Sequence, residues 1–86
     1  MIKVNAVQPN AGLPQEKDIV GVYIAPESIS DIRPPHYDMC RLHYGFSWSM
    51  VSGAKYYYGF YDSVQDREVK VDSYYREFLN KVGVCG

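Results

Sequence analysis

Four side chains in this sequence have the chemistry of metal ligands or nucleophiles. His36, Cys40 and His43 fall within eight residues, and Cys85 would make a fourth ligand. On a helix, offsets of four and three would bring the first three to one face as a zinc-like donor set. The local pattern, however, is not helical. From Cys40 to Met50 the even positions read Cys, Leu, Tyr, Phe, Trp, Met and the odd ones Arg, His, Gly, Ser, Ser, a period of two that belongs to a strand. A strand sends Cys40 and His43 to opposite faces, so they share neither a metal nor a proton, and no Cys-x-x-Cys pair supports a zinc site. The same parity removes Cys40 with His43 or His36 as a nucleophile and base. A Gly-x-Ser-x-Gly elbow, a Gly-rich phosphate loop and paired carboxylates on one helical face are also absent from the sequence. The expectation is a protein that is not an enzyme, needs no cofactor and binds no metal. Cys40 is expected in the core. Both cysteines are expected as reduced thiols, because disulfide-dependent secreted domains of this size usually carry more.

Tyrosine is the other chemical resource. Nine Tyr, three Phe and one Trp make 15% of the chain aromatic, more than a small core needs. If the even positions of the ribbon face the core, the odd positions Arg41, His43, Gly45, Ser47, Ser49, Lys55, Tyr57, Gly59 and Tyr61 face solvent. Tyr supplies rigid contact area at low entropic cost, Ser and Gly admit close approach, and Arg and His add directed hydrogen bonds. That chemistry suits protein recognition. The candidate partner-binding residues are Tyr57 and Tyr61 as anchors, Arg41 and His43 as polar contacts, and Tyr37 from the neighbouring loop. The same rings could stack bases, and Lys55 to Tyr61 has some flavour of the aromatic strand of an RNA-recognition sheet. It departs from the basic, Gly, aromatic, small, aromatic order of that strand, and the flanking positive charge is missing.

Charge and size narrow the choice further. Nine basic against ten acidic residues give a net charge of -1, and the two halves are equally balanced, so neither a duplex-binding footprint nor an acidic mimic of nucleic acid is present. Eighty-six residues make one domain, residues 1–86. The first residues lack the apolar run of a secretory signal, and no stretch approaches the roughly 18 apolar residues of a membrane helix, so a cytoplasmic protein without membrane contact is expected. A free-standing binding protein results, one that uses its tyrosine-rich face, a sheet edge or the proline-bearing 26–37 segment to occupy a partner protein. Small, charge-balanced, motif-free domains of this kind are what phage and mobile elements encode to inhibit host nucleases or defence complexes, the anti-CRISPR class included. That analogy is one of size and composition, not of residues. A single-stranded nucleic-acid binder using the same face is the alternative.

The elements that must hold these residues follow from periodicity. Ile2, Val4 and Ala6 alternate as a first strand, residues 8–14 collect turn formers, and the β-branched run 18–25 reads as a second, largely buried strand. Pro26 can start one helical turn over 26–32 before Pro34 and Pro35 stop it. Strands 40–50 and 55–61 form the central hairpin, about 40–61, and a Ser52-Gly53-Ala54 loop would set Trp48 opposite Tyr58 and Phe46 opposite Phe60. Residues 68–71 suit a short extended piece. Val71, Tyr74, Tyr75, Phe78, Leu79 and Val82 then follow helical spacing, with Asp72 as N-cap and Gly83 at the end, for a helix over about 72–82. The fold class is α+β: a small antiparallel sheet of three to four strands packed by one C-terminal amphipathic helix.

Overall fold

The computed structural model describes residues 1–83, so Cys85 lies outside the described residues. Five strands and one helix follow in the order β1 (Ile2–Val7), β2 (Ile19–Ile24), β3 (Ile29–Asp38), β4 (His43–Met50), β5 (Lys55–Tyr61) and α1 (Arg67–Val82), with single 3-10 turns at Glu16–Asp18 and Pro26–Ser28. The α+β class stands, but the strands divide into two antiparallel sheets, β1-β2 and β3-β4-β5, and α1 packs on both. β1 lies beside β5, and the Pro14 carbonyl joins the two parts by accepting the Tyr61 N–H at 2.9 Å.

The core is aromatic and sits between the sheets and α1. Phe46, Trp48, Tyr58 and Phe60 from the ribbon meet Val71, Tyr74 and Phe78 from the helix, with Val4, Ala6 and Ile24 closing the side. Trp48 is 1% exposed, stacked on Tyr56 at 5.4 Å and tilted against Phe78 at 4.4 Å. The even positions of the ribbon therefore face the helix, as their alternation requires.

Within that frame several boundaries move. The ribbon pairs even with even positions, but two residues out of the expected register: Trp48 stands opposite Tyr56, Phe46 opposite Tyr58 and Tyr44 opposite Phe60. The loop explains the shift. A three-residue hairpin loop needs its last residue in the left-handed region, and Gly53, at φ 95°, takes that place in a Val51-Ser52-Gly53 loop, whereas the expected loop would put Ala54 there.

At its other end the strand starts at His43 rather than Cys40. Residues 39–42 are a turn, the Asp38 carboxylate accepts the Cys40 and Arg41 N–H groups at 2.9 and 3.1 Å, and Leu42 adopts φ 60°. Cys40 is consequently exposed, not in the core.

β3 replaces the expected loop around the prolines. It lies at the sheet edge, where Pro34 and Pro35 occupy a register shift between Arg33 and His36 and need no ladder N–H. The helical turn begun by Pro26 ends at Ser28. β2 is only half covered, with Ile24 buried and Gly21 and Tyr23 exposed, and among the described residues no strand pairs its far side.

The helix begins five residues before the expected start, absorbing residues 68–71, with Asp66 at the cap in the left-handed region at φ 58°. Asp tolerates that conformation better than most residues. Asp72 instead accepts the Tyr44 hydroxyl at 2.8 Å, and Gly83, at φ 81°, ends the helix as expected.

Candidate functional site

The face of the β3-β4-β5 sheet turned away from α1 carries the odd positions of the ribbon. Gly45 and Gly59 stand directly opposite each other there, two adjacent positions without side chains. Tyr57 covers them. A Cβ built on either glycine would come within 2.6 Å of the Tyr57 hydroxyl oxygen, so the Tyr57 side chain runs along the sheet and sets its hydroxyl end over the glycine pair. An aromatic ring laid over strand glycines restores the packing that they lack. It also half-buries Tyr57, and burial pushes its phenol up to about 12, with Asp38 adding to the shift and Arg41 opposing it.

Those two charges mark the end of the face where the ring points. Arg41 projects from the 39–42 turn with its side chain 76% exposed, 3.9 Å from the Asp38 carboxylate. Asp38 is held below the usual carboxylate range, first by the Arg41 backbone N–H and then by that of Cys40. His43 follows on the same face, its ring centroid 6.0 Å from that of Tyr57. It does not reach solvent. His43 is 6% exposed, and its Nε2–H donates to the Gly12 carbonyl at 3.0 Å, so the 8–14 loop covers the imidazole and uses its hydrogen bond. The expected solvent-facing contact at His43 is therefore a structural tie. Tyr61, paired with His43, is half-buried on the same face.

Tyr37 belongs elsewhere. It pairs with Tyr44 and so lies on the helix side of the sheet, where its hydroxyl donates to Asp62 Oδ2 at 2.7 Å. Arg67 closes this group, 5.9 Å from the Tyr37 ring centroid and donating from Nη1 to the Asp62 carbonyl at 3.1 Å. Tyr37, Asp62 and Arg67 thus tie the end of β3 to the chain entering α1. The hydrogen bond to Asp62 is the first cause raising the Tyr37 phenol.

Of the five residues expected to bind a partner, the structure brings Tyr57, Tyr61, Arg41 and His43 to one face, covers His43, and separates Tyr37. Sequence reasoning missed Asp38, whose signal is an Asx turn, an Asp followed two and three residues later by backbone N–H groups that it caps. It also missed Gly12, which acts through its carbonyl and leaves no side-chain signal. Among the described residues no three His, Cys, Asp or Glu side chains converge in a way that could hold a metal ion. No described helix is long and apolar enough to cross a membrane. Comparisons with protein families, with curated proteins and with solved structures give no match for this chain.

Proposed function

We propose that the protein is a small, non-catalytic binding module that occupies a partner protein through the outer face of the β3-β4-β5 sheet, at the end where Tyr57, Arg41 and Asp38 meet. The observation that carries this reading is the Tyr57 side chain laid along the sheet with its hydroxyl end over Gly45 and Gly59. The ring is already ordered in the free protein, so docking onto it costs little conformational entropy, and the neighbouring charges give a partner direction. Ser47 and Tyr61, both half-buried, extend the platform, and the Gly12 carbonyl reaches across to this face at His43. An inhibitor of a host nuclease or defence complex, acting in the cytoplasm in the manner of phage-encoded anti-defence proteins, is the role to which size and charge balance lend themselves.

Affinity capture from host extract with three proteins tests the face. Wild type and a Val69→Glu control, altered at an exposed position on the helix, should retain the same partner, and Arg41→Glu should lose it while keeping its melting temperature. Loss in both variants, or retention in both, places the contact elsewhere. The single-stranded nucleic-acid reading rests on the same ring as a stacking surface. It requires oligonucleotide retention that falls steeply with salt.

A further inference from the structure

Between α1, β5 and the Glu16–Asp18 turn the fold leaves an open cavity of about 440 Å³, floored by Tyr58, Phe60 and Tyr74 and rimmed by Glu16, Lys70 and Glu77. That volume lies in the range of small-molecule sites. The cavity is on the helix side of the sheet, away from Tyr57. Lys70, Tyr74 and Glu77 are spaced four and three residues apart on α1, so they share one helix face over about 10 Å. Glu16 comes from the short turn before β2, which is held by the Asp18 carboxylate accepting the Gln15 N–H at 3.0 Å.

The chain fills one end of this cavity with a cation of its own. The Lys70 ammonium pairs with the Glu16 carboxylate and stands over the Phe60 ring, 5.9 Å from its centroid. The other end repeats two of these three parts. Tyr58 and Tyr74 stack with centroids 4.4 Å apart, and Glu77 follows one turn further along α1. A cation is what is missing. Lys81, one turn beyond Glu77, donates instead to the Lys3 carbonyl at 3.4 Å, and Glu77 enters no ion pair among the described residues. Burial is the first cause raising the Tyr58 phenol, and Tyr74, Glu16 and Glu77 add to it. The Tyr74 phenol is raised by burial and again by Glu77, against the Asn5 N–H. Two carboxylates against one ammonium leave the cavity with one net negative charge.

We propose that the Glu77 end of this cavity binds a free organic ammonium ion, a small amine carried on an apolar body. Its ammonium pairs with Glu77 as Lys70 pairs with Glu16, and it stands at the Tyr58–Tyr74 pair as Lys70 stands over Phe60. Its body fills the cavity against Ile19, which lines the same space. Aromatic faces attract a cation and give a neutral guest of the same shape no such gain. Both carboxylates disfavour an anion. The rim is open to water and Glu77 is exposed, so the charge pair is screened and dissociation on the order of 1 mM is expected.

Titration with phenethylammonium to about 10 mM, followed through the NMR ring signals of Tyr58 and Tyr74, tests the site. Those signals should move and saturate, and 2-phenylethanol, of similar shape without the charge, should bind at least about threefold more weakly. Glu77→Gln removes an exposed carboxylate and should weaken binding of the ammonium about threefold, the size of a screened ion pair. Lys70→Gln vacates Glu16 and Phe60, giving the guest a second end of the same kind, and should tighten binding about threefold. Ring signals that stay still, equal affinity for the alcohol, or a folded Glu77→Gln that binds as wild type does overturns the proposal. A Lys70→Gln variant that fails to bind more tightly removes the parallel between the two ends and overturns it as well. Saturation by a lysine-containing peptide but not by phenethylammonium would assign the cavity to a side chain of another protein and overturn it equally.

Discussion

On the inner face of the β4-β5 ribbon, Phe46 meets five rings, those of Trp48, Tyr58, Tyr74, Tyr75 and Phe78, at centroid distances between 5.0 and 6.2 Å. On the outer face Tyr57 lies across two glycines, with His43 as its aromatic neighbour. The same residue class does different work on the two faces. Inside, rings pack edge and face against one another and remove apolar surface from water. Outside, one ring spans a gap, and its hydroxyl ends beside a salt-bridged turn. The tyrosine excess is therefore mostly a property of the interior. Tyr44, Tyr56, Tyr58, Tyr74 and Tyr75 belong to the core or pack on it, Tyr57 and Tyr61 lie on the outer face, and Tyr23 and Tyr37 are exposed on β2 and β3.

The contrast predicts unequal costs of truncation. Phe46→Ala removes a fully buried ring and should cost about 3–5 kcal/mol by urea denaturation. Gly45→Ala comes next. Its Cβ would sit 2.4 Å from the Tyr58 carbonyl oxygen and 2.6 Å from the Gly59 Cα, both backbone atoms, so overpacking of about 1–3 kcal/mol is expected. Tyr57→Ala uncovers the glycine pair and should cost about 1–2 kcal/mol, within the ordinary range of single substitutions. A Tyr57→Ala loss equal to that of Phe46→Ala would place Tyr57 in the core and remove the distinction between the faces.

How much of this was readable before the structure depended on where burial imposes a period. Trp48, Phe46, Tyr58 and Phe60 repeat every second residue because one face is sealed, and Tyr74, Phe78 and Val82 repeat helically for the same reason. The start of α1 left no such trace. Arg67, Glu68 and Val69 precede the first core-facing residue, Val71, and Val69 is largely exposed, so no period marks that turn. β3 was hidden by Pro34 and Pro35, which break a central strand but are tolerated at an edge. At the site, the outward direction of Tyr57 and Tyr61 was legible from parity, as was that of His43. The cover over His43 was not, because it comes from a backbone carbonyl thirty-one residues away. Arg41 reached its place by a turn that alternation had read as strand.

Under alkali the two faces should behave alike. Burial raises Tyr57 on the outer face and Tyr44 and Tyr58 on the inner face, each to about 12 from an ordinary 10.0. The neutral phenol is favoured in the folded state, so this contribution to stability is complete below pH 10 and is lost as pH rises from 10 toward 12. Absorbance titration should show late-ionising phenols, and urea midpoints should fall over that window. Tyr57→Phe and Tyr58→Phe should each reduce the fall. If Tyr57→Phe leaves the midpoint curve unchanged between pH 10 and 12, the Tyr57 hydroxyl is solvated and the platform is open at its end.

The smallest effect belongs to Arg41, and its smallness is informative. The side chain is mostly in water, and its ion pair with Asp38 spans 3.9 Å, a geometry that contributes little in high dielectric. The Asp38 carboxylate holds the turn through the Cys40 and Arg41 backbone N–H groups, bonds that survive truncation of the guanidinium. Arg41→Ala should therefore change stability by less than about 0.5 kcal/mol. Asp38→Ala removes the acceptor of both N–H groups and should cost more, about 1 kcal/mol. A residue that is nearly silent in folding, yet stands beside an ordered ring on an open face, can be altered to probe binding alone. If Arg41→Ala destabilises the fold as much as Asp38→Ala does, the guanidinium is part of the turn, and its loss no longer reports on a partner.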